Sequence, residues 1–292
     1  MKKVLLAIAA ATMITSCSQN DDEVISNGNP LEVQLNAGIE TAVSRAAVNK
    51  GDALQNIQIV KSNGTADWSS VTSITTTGDM AAGGAITLSA KQYYPSDGAN
   101  TNILGFYPAA TSITGGIANM TIDGTQDVLY ATPVSGSKGT PVTEKLSFQH
   151  KLTQFKFVAK RDATSTDADI TEVKVMVKDA NSVFKMALTD GALSGWATTI
   201  STITPITNGT AAETESTPSE GIMLEPKLAK LVLLVSAKGY DEREITVNGT
   251  DAGEFAMGKA YTITLTFKGT EIAPTGEIAE WTTGTAGGVD IN

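Results

Sequence analysis

Residue types that commonly do chemistry are thin in this chain. His150 is its single imidazole and Cys17 its single thiol. A lone imidazole can serve a serine nucleophile, but no Gly-x-Ser-x-Gly turn is present to hold one. Val134-Ser135-Gly136-Ser137 is a serine-rich loop, and His150 stands among Phe148, Leu152, Phe155 and Phe157, the setting of a structural histidine. Carboxylates are numerous enough to form the acid pair of a glycosidase. They fall mainly in turns and polar stretches, however, and aromatic residues make up only 5% of the chain, with Trp68, Trp196 and Trp281 far apart, so no stacking platform for a polysaccharide is indicated. Asp167-Ala168-Asp169 lacks the glycine and the terminal glutamate of a calcium loop. Asn63-Gly64-Thr65, Asn208-Gly209-Thr210 and Asn248-Gly249-Thr250 fit the N-glycosylation pattern and fit turns more simply. The expectation is a protein without catalytic, metal or cofactor residues.

Cys17 has a different kind of chemistry open to it. Lys2 and Lys3 precede an apolar run from Val4 to Ile14, and Thr15-Ser16 leads into the cysteine, the layout of a secretory signal. The string Ile14-Thr15-Ser16-Cys17 resembles a bacterial lipobox. That resemblance implies cleavage between Ser16 and Cys17 by signal peptidase II and acylation of Cys17; an ordinary signal peptide with a chance cysteine is the alternative. The apolar run is shorter than the about 20 residues a spanning helix needs, so anchorage is expected from lipid. Once processed, the chain has no other cysteine for a disulfide or a thiolate site. A net charge of -10 and a pI near 4.7 argue against nucleic acid as a partner.

The elements behind the signal are strands. Leu31, Val33, Leu35, Ala37 and Ile39 share one face of a period-two segment. Similar alternation recurs at Ile57 to Val60, Ala85 to Leu88, Asn102 to Tyr107, Leu146 to Ala159, Ile170 to Val177, Leu228 to Ala237, Glu244 to Val247 and Tyr261 to Phe267. Turn pairs such as Asn63-Gly64, Asp97-Gly98, Asp190-Gly191 and Asn248-Gly249 separate them. No long segment has helical periodicity. The fold class expected is all-β, sandwich rather than barrel. Residues 1–16 form the signal peptide and 17–30 an acidic, flexible tether. The Gly/Ser/Pro-rich segment Pro133 to Pro141 suggests a division into β-sandwich domains at 31–141 and 142–292, each near the usual domain size. Lys160 to Asp169 is the other candidate linker.

Four features in order along the chain resemble the fimbrillin family of Bacteroidetes, subunits of lipoprotein-derived pili. They are the lipobox with its acidic tether Ser18 to Glu23; the strand Leu31 to Ile39 followed by Ser44-Arg45-Ala46-Ala47; the series Gly105-Phe106-Tyr107-Pro108, Asp127-Val128-Leu129-Tyr130-Ala131 and Leu146-Ser147-Phe148-Gln149-His150-Lys151-Leu152; and the ending Tyr261 to Phe267 with Gly276-Glu277-Ile278-Ala279-Glu280-Trp281. The acidic tether also resembles the signal that sends such lipoproteins to the outer face of the outer membrane. The resemblance implies two transthyretin-like β-sandwich domains and assembly with other fimbrillin subunits by strand exchange. In that scheme a trypsin-like protease cuts between Arg45 and Ala46, and the first strand departs. A neighbour's tail, here residues 269–292 with Ile272, Ile278 and Trp281 as candidate plugs, then fills the slot. Pro274 and Gly287-Gly288 interrupt that tail, which can equally be the last strand of the C-terminal domain. The resulting expectation is a surface pilus subunit contributing to adhesion, without enzymatic activity; the alternative is a glycan-binding surface lipoprotein of a nutrient-uptake system.

Overall fold

The computed structural model describes residues 29–40, 52–163, 168–268 and 271–280. The protein is all-β, with no helix among the described residues. Nine strands form the first half: β1 Leu35–Ile39, β2 Leu54–Asn63, β3 Thr76–Met80, β4 Ala85–Leu88, β5 Thr101–Tyr107, β6 Ser112–Thr114, β7 Ile117–Thr121, β8 Leu129–Gly136 and β9 Leu146–His150. The second half carries β10 Thr153–Arg161, β11 Ile170–Ala187, β12 Leu193–Ala211, β13 Ile222–Leu224, β14 Lys230–Ala237, β15 Tyr240–Asn248, β16 Lys259–Lys268 and β17 Glu271–Glu280.

In the first half the ladder runs β1-β4-β3-β2-β5-β8-β9 and closes on itself. Period-two alternation marks a strand with one buried face but does not say whether the sheet closes, so this closure was not visible in the sequence pattern. Inside it lies a core of Val33, Leu35, Ile57, Ile59, Ile86, Ile103, Leu146 and Phe148, among others. The outward-facing Val60, Leu104, Phe106 and Tyr130 pack on Met120, Phe184 and Met186, which belong to β7 and β11. The closed ladder is thus one layer and the β6-β7-β11 sheet the layer over it, which is sheet-on-sheet packing. In the second half the sheet β13-β10-β16-β17 faces β15-β14-β11 across a core rich in Phe155, Phe157, Val173, Val175, Leu233, Val235, Ile263 and Leu265.

The change of hydrogen-bonding partner along the chain falls after His150, not at Pro141. β9 pairs with β8 and β1, whereas β10 pairs with β16 and β13. The Leu146 to Ala159 alternation is therefore two strands serving two sheets. The cores they enter tell them apart: Leu146 and Phe148 lie in the core of the first half, Phe155, Phe157 and Ala159 in that of the second.

β11 spans both halves. Its first part pairs with β14 from Lys174 to Val177, its second with β7 from Val183 to Ala187. Val173, Val175 and Val177 are buried in one core, Phe184 and Met186 in the other, so the inward face switches between Val177 and Phe184. Asp179 sits at that switch with φ of 53°. A non-glycine residue there is uncommon, and aspartate tolerates it better than most because its short polar side chain can bond locally.

Candidate functional site

β1 is held on both edges. It runs antiparallel to β4, with Leu35 opposite Ile86, and parallel to β9, with Ala37, Gly38 and Ile39 opposite Leu146, Ser147 and Phe148. The residues ahead of it continue the seam. Val33 N–H donates to Gln92 O at 2.7 Å, and Leu31 O accepts from Tyr94 N–H at 3.0 Å. Val33, Leu35, Ala37 and Ile39 are each at most 4% exposed, and Leu31 is half-buried against the same core.

Gly84 shows how closely the chain is fitted here. Its φ is +93°, its carbonyl accepts from Ala37 N–H at 2.6 Å, and a Cβ on it would lie 2.3 Å from Ala37 O. Only glycine meets both demands. At the far end Glu40 N–H donates to Phe148 O at 3.0 Å, and Gln149 Nε2 donates to the Glu40 carboxylate at 3.1 Å. Arg45 and Ala46, like Ser16 and Cys17, lie outside the described residues.

With β1 taken away, β4 and β9 would each lose a hydrogen-bonding partner and the core would open along an apolar slot. The energetic scale is set by the larger side chains, at about 1.5–3 kcal/mol for each fully buried aliphatic. Emptied, the slot would present two unpaired strand edges above an apolar floor.

β17 is held on one edge. It runs antiparallel to β16 from Lys259 opposite Glu280 to Lys268 opposite Glu271. Of the alternatives for the tail, the structure shows Glu271 to Glu280 as the last strand of the second half. Ile272 is half-buried against the core and faces Phe267 in the ladder; Ile278 lies opposite Tyr261; Trp281 lies outside the described residues. Pro274 does not break the strand. It stands opposite Leu265 on a strand with one neighbour, where proline's missing N–H is tolerated.

His150 is buried, and its Nδ1 is 2.5 Å from Asp127 Oδ2. Asp127 Oδ1 accepts from Val128 N–H at 2.8 Å. Burial pushes the Asp127 carboxyl up from its usual range, and the hydrogen bond and charge of His150 pull against that. The pair ties the start of β8 to the end of β9, and both side chains are 1% exposed, out of reach of any substrate. The sequence named both residues in one motif series but did not pair them. Trp68 is buried in the core and Trp196 stacks on Phe184 at 4.2 Å, so neither contributes an exposed stacking surface. Among the described residues no cluster of His, Cys, Asp and Glu could hold a metal ion.

A fimbrillin-like family model matches residues 44–281. The chain belongs to the fimbrillin-like family. Two solved structures share the fold of this fimbrillin-like protein. A candidate cell adhesion protein from Bacteroides uniformis is 18% identical, with a TM-score of 0.62 over 88% of this chain and 100% of that one. A second, from Bacteroides ovatus, is 19% identical, with a TM-score of 0.56 over 88% of this chain and 100% of that one. No curated protein matches the sequence. Family membership gives the fimbrillin-like chain a structural, non-enzymatic role as a subunit of a cell-surface fimbria.

Proposed function

We propose that this fimbrillin-like protein is exported as a lipoprotein precursor and assembles into a pilus by exchanging β1 for a strand of another subunit. Signal cleavage between Ser16 and Cys17 and acylation of Cys17 hold the precursor at the outer membrane, facing outward. A trypsin-like protease then cuts between Arg45 and Ala46, freeing β1 from the chain that follows it. The tail of a neighbouring subunit, residues 269–292, enters the slot between β4 and β9. In this reading the first half of the chain is the acceptor domain and the second the donor domain, both transthyretin-like sandwiches, and the filament contributes to adhesion.

The observation that carries the proposal is the way β1 is built in. It is short, buried along one face and hydrogen-bonded on both edges, and it is followed closely by Arg45, the first arginine of the chain. The family match begins at residue 44, beyond β1, which supports a mature subunit lacking that strand. β17, with a neighbour on one side only, is the strand that can leave its sheet without opening a core on both sides.

Limited trypsin digestion, read by intact mass and size-exclusion chromatography, tests this. A first cut after Arg45 followed by conversion to higher oligomers is expected. Arg45→Ala should stay a folded, lipidated monomer, and deleting residues 269–292 should block polymerisation while leaving the first half folded. Normal filaments from either variant would remove the corresponding step.

A further inference from the structure

β1 occupies a slot with a definite profile. Its core-facing side chains are Val33, Leu35, Ala37 and Ile39, none more than 4% exposed, so the place of Ala37 is one methyl group deep between larger ones. The wall on the β4 side offers acceptors: Gln92 O takes Val33 N–H at 2.7 Å, and Gly84 O takes Ala37 N–H at 2.6 Å. On the rim Lys91 Nζ lies 2.7 Å from Glu32 Oε2. A strand that replaces β1 has to meet demands of size, hydrogen bonding and charge together.

Read in either direction, residues 269–292 offer one register alone that sets an apolar side chain at each of the three larger places and a small residue at the place of Ala37. It runs in the direction of β1. Ile272 takes the place of Val33, Pro274 that of Leu35, Gly276 that of Ala37 and Ile278 that of Ile39. Sliding the tail two residues one way puts Glu280 at the place of Ile39. Sliding it two the other way puts Pro274, which has no N–H, against Gly84 O. The same register brings Glu271 to the place of Glu32, beside Lys91. Glu32 lies on the rim and outside the apolar profile, so this match is a separate one. Trp281 falls past the four core-facing places.

We infer that residues 271–278 of a second copy of this chain enter the slot parallel to the β1 they replace, standing in for residues 32–39, with Gly276 as the residue that fixes the register. This rests on the strand exchange proposed above and adds to it which residue meets which. Gly276 N–H takes up Gly84 O and brings no side chain to the shallow place. Ile272 and Ile278 fill the places on either side, and Glu271 renews the pair with Lys91. Pro274 is the imperfect member. The N–H groups of Val33 and Ala37 point to one wall, so that of Leu35 between them does too, and proline there gives up a hydrogen bond. The tail is thus a weaker occupant than β1, and a neighbour's tail does not displace β1 from an uncut subunit.

Engineered cysteine pairs read the register. With Cys17→Ser in the full chain, Ala85→Cys puts a thiol on β4 opposite Asn36, and the register sets Thr275 where Asn36 stood. Asn36 and Ala85 are both exposed, so the acceptor core is untouched. Opposed residues on antiparallel neighbours lie about 4.5–5.5 Å apart, within disulfide reach. After the trypsin cut and mild oxidation, Ala85→Cys with Thr275→Cys should lock the filaments into a covalent ladder on a non-reducing gel. Ala85→Cys with Ala273→Cys, or with Glu277→Cys, should not. Filaments locked by one of those pairs instead, or by none, would overturn the register and leave strand exchange standing. A cut parent chain that forms no filaments would overturn strand exchange and the register with it. Gly276→Leu gives a reading free of cross-links. By overfilling the place of Ala37 it should slow filament growth about tenfold or more, with the melting curve of the uncut monomer unchanged. Growth at the parental rate would also overturn the inference.

Discussion

The first and last strands of this protein are held in opposite ways. β1 has a neighbour on each side and buries alternate side chains almost completely, whereas β17 has one neighbour and half-buries Ile272. A strand built into a closed ladder cannot depart without opening both its walls and the core beneath them. An edge strand can peel away, leaving the strand behind it still paired on its other side, as β16 is with β10. Under the proposed exchange, the contrast gives a reason for a covalent cut next to β1 and for none next to β17. It also says which half of the molecule pays more for losing its strand.

The largest effect is expected at Gly84. Valine there must take a left-handed backbone and place a Cβ on top of Ala37 O. Strain alone costs about 1–3 kcal/mol, and the displaced seam adds to it, so Gly84→Val should lose about 3 kcal/mol or more of a stability that is about 5–15 kcal/mol in all. Urea denaturation measures this directly. A valine tolerated at little cost would mean that β1 is loosely seated, and the comparison would fail.

A matched pair sharpens it. Leu35→Ala in β1 removes a fully packed side chain and should cost about 2–5 kcal/mol, while Ile272→Ala in β17, only half-buried, should cost about 1 kcal/mol. Equal losses in the two variants would show the strands to be equally committed to the monomer. The same pair separates folding from assembly: under the proposed exchange, Ile272→Ala should slow polymerisation more than it lowers the melting temperature.

Much of β1 is legible in the sequence, because Val33, Leu35, Ala37 and Ile39 alternate with polar or small residues in a segment with one buried face. Leu31, placed on that face by the same alternation, lies at its rim and is half-buried. The turns at Asp97-Gly98 and Asp190-Gly191 are legible too, with both glycines at positive φ. What the pattern hides is partnership. Leu146 to Ala159 looks like one strand until its hydrogen-bonding partners are known, and Ile170 to Val177 gives no warning that the strand runs on to Ala187 under a different core. β12 is the least visible element. Its Thr, Ser and Gly residues show little hydrophobic alternation, and its extended form rests on the ladder to β11. The pairing of Asp127 with His150 escapes notice although both stand in the motif series: a carboxylate ahead of a strand usually marks a turn, and only the fold brings the two together.

The smallest effect is expected at the rim of the β1 seam. Lys91 Nζ lies 2.7 Å from Glu32 Oε2, and the hydrogen bond to Glu32, with its charge, raises the lysine above its ordinary value. A cation so stabilised in the fold adds stability that is fully present below the unfolded lysine pKa and is lost as pH rises through the raised, folded one. Both side chains reach solvent, Lys91 at 68% exposure, so water and salt screen the pair. Lys91→Ala should therefore leave the melting temperature at neutral pH within measurement error, and whatever difference remains should shrink with added salt and vanish in strong alkali. A clear drop at neutral pH would place part of β1's hold in this surface pair. The contrast with β17 would then rest on charge as well as on burial and hydrogen bonding, and the slot would be easier to open in high salt than the apolar seam alone predicts.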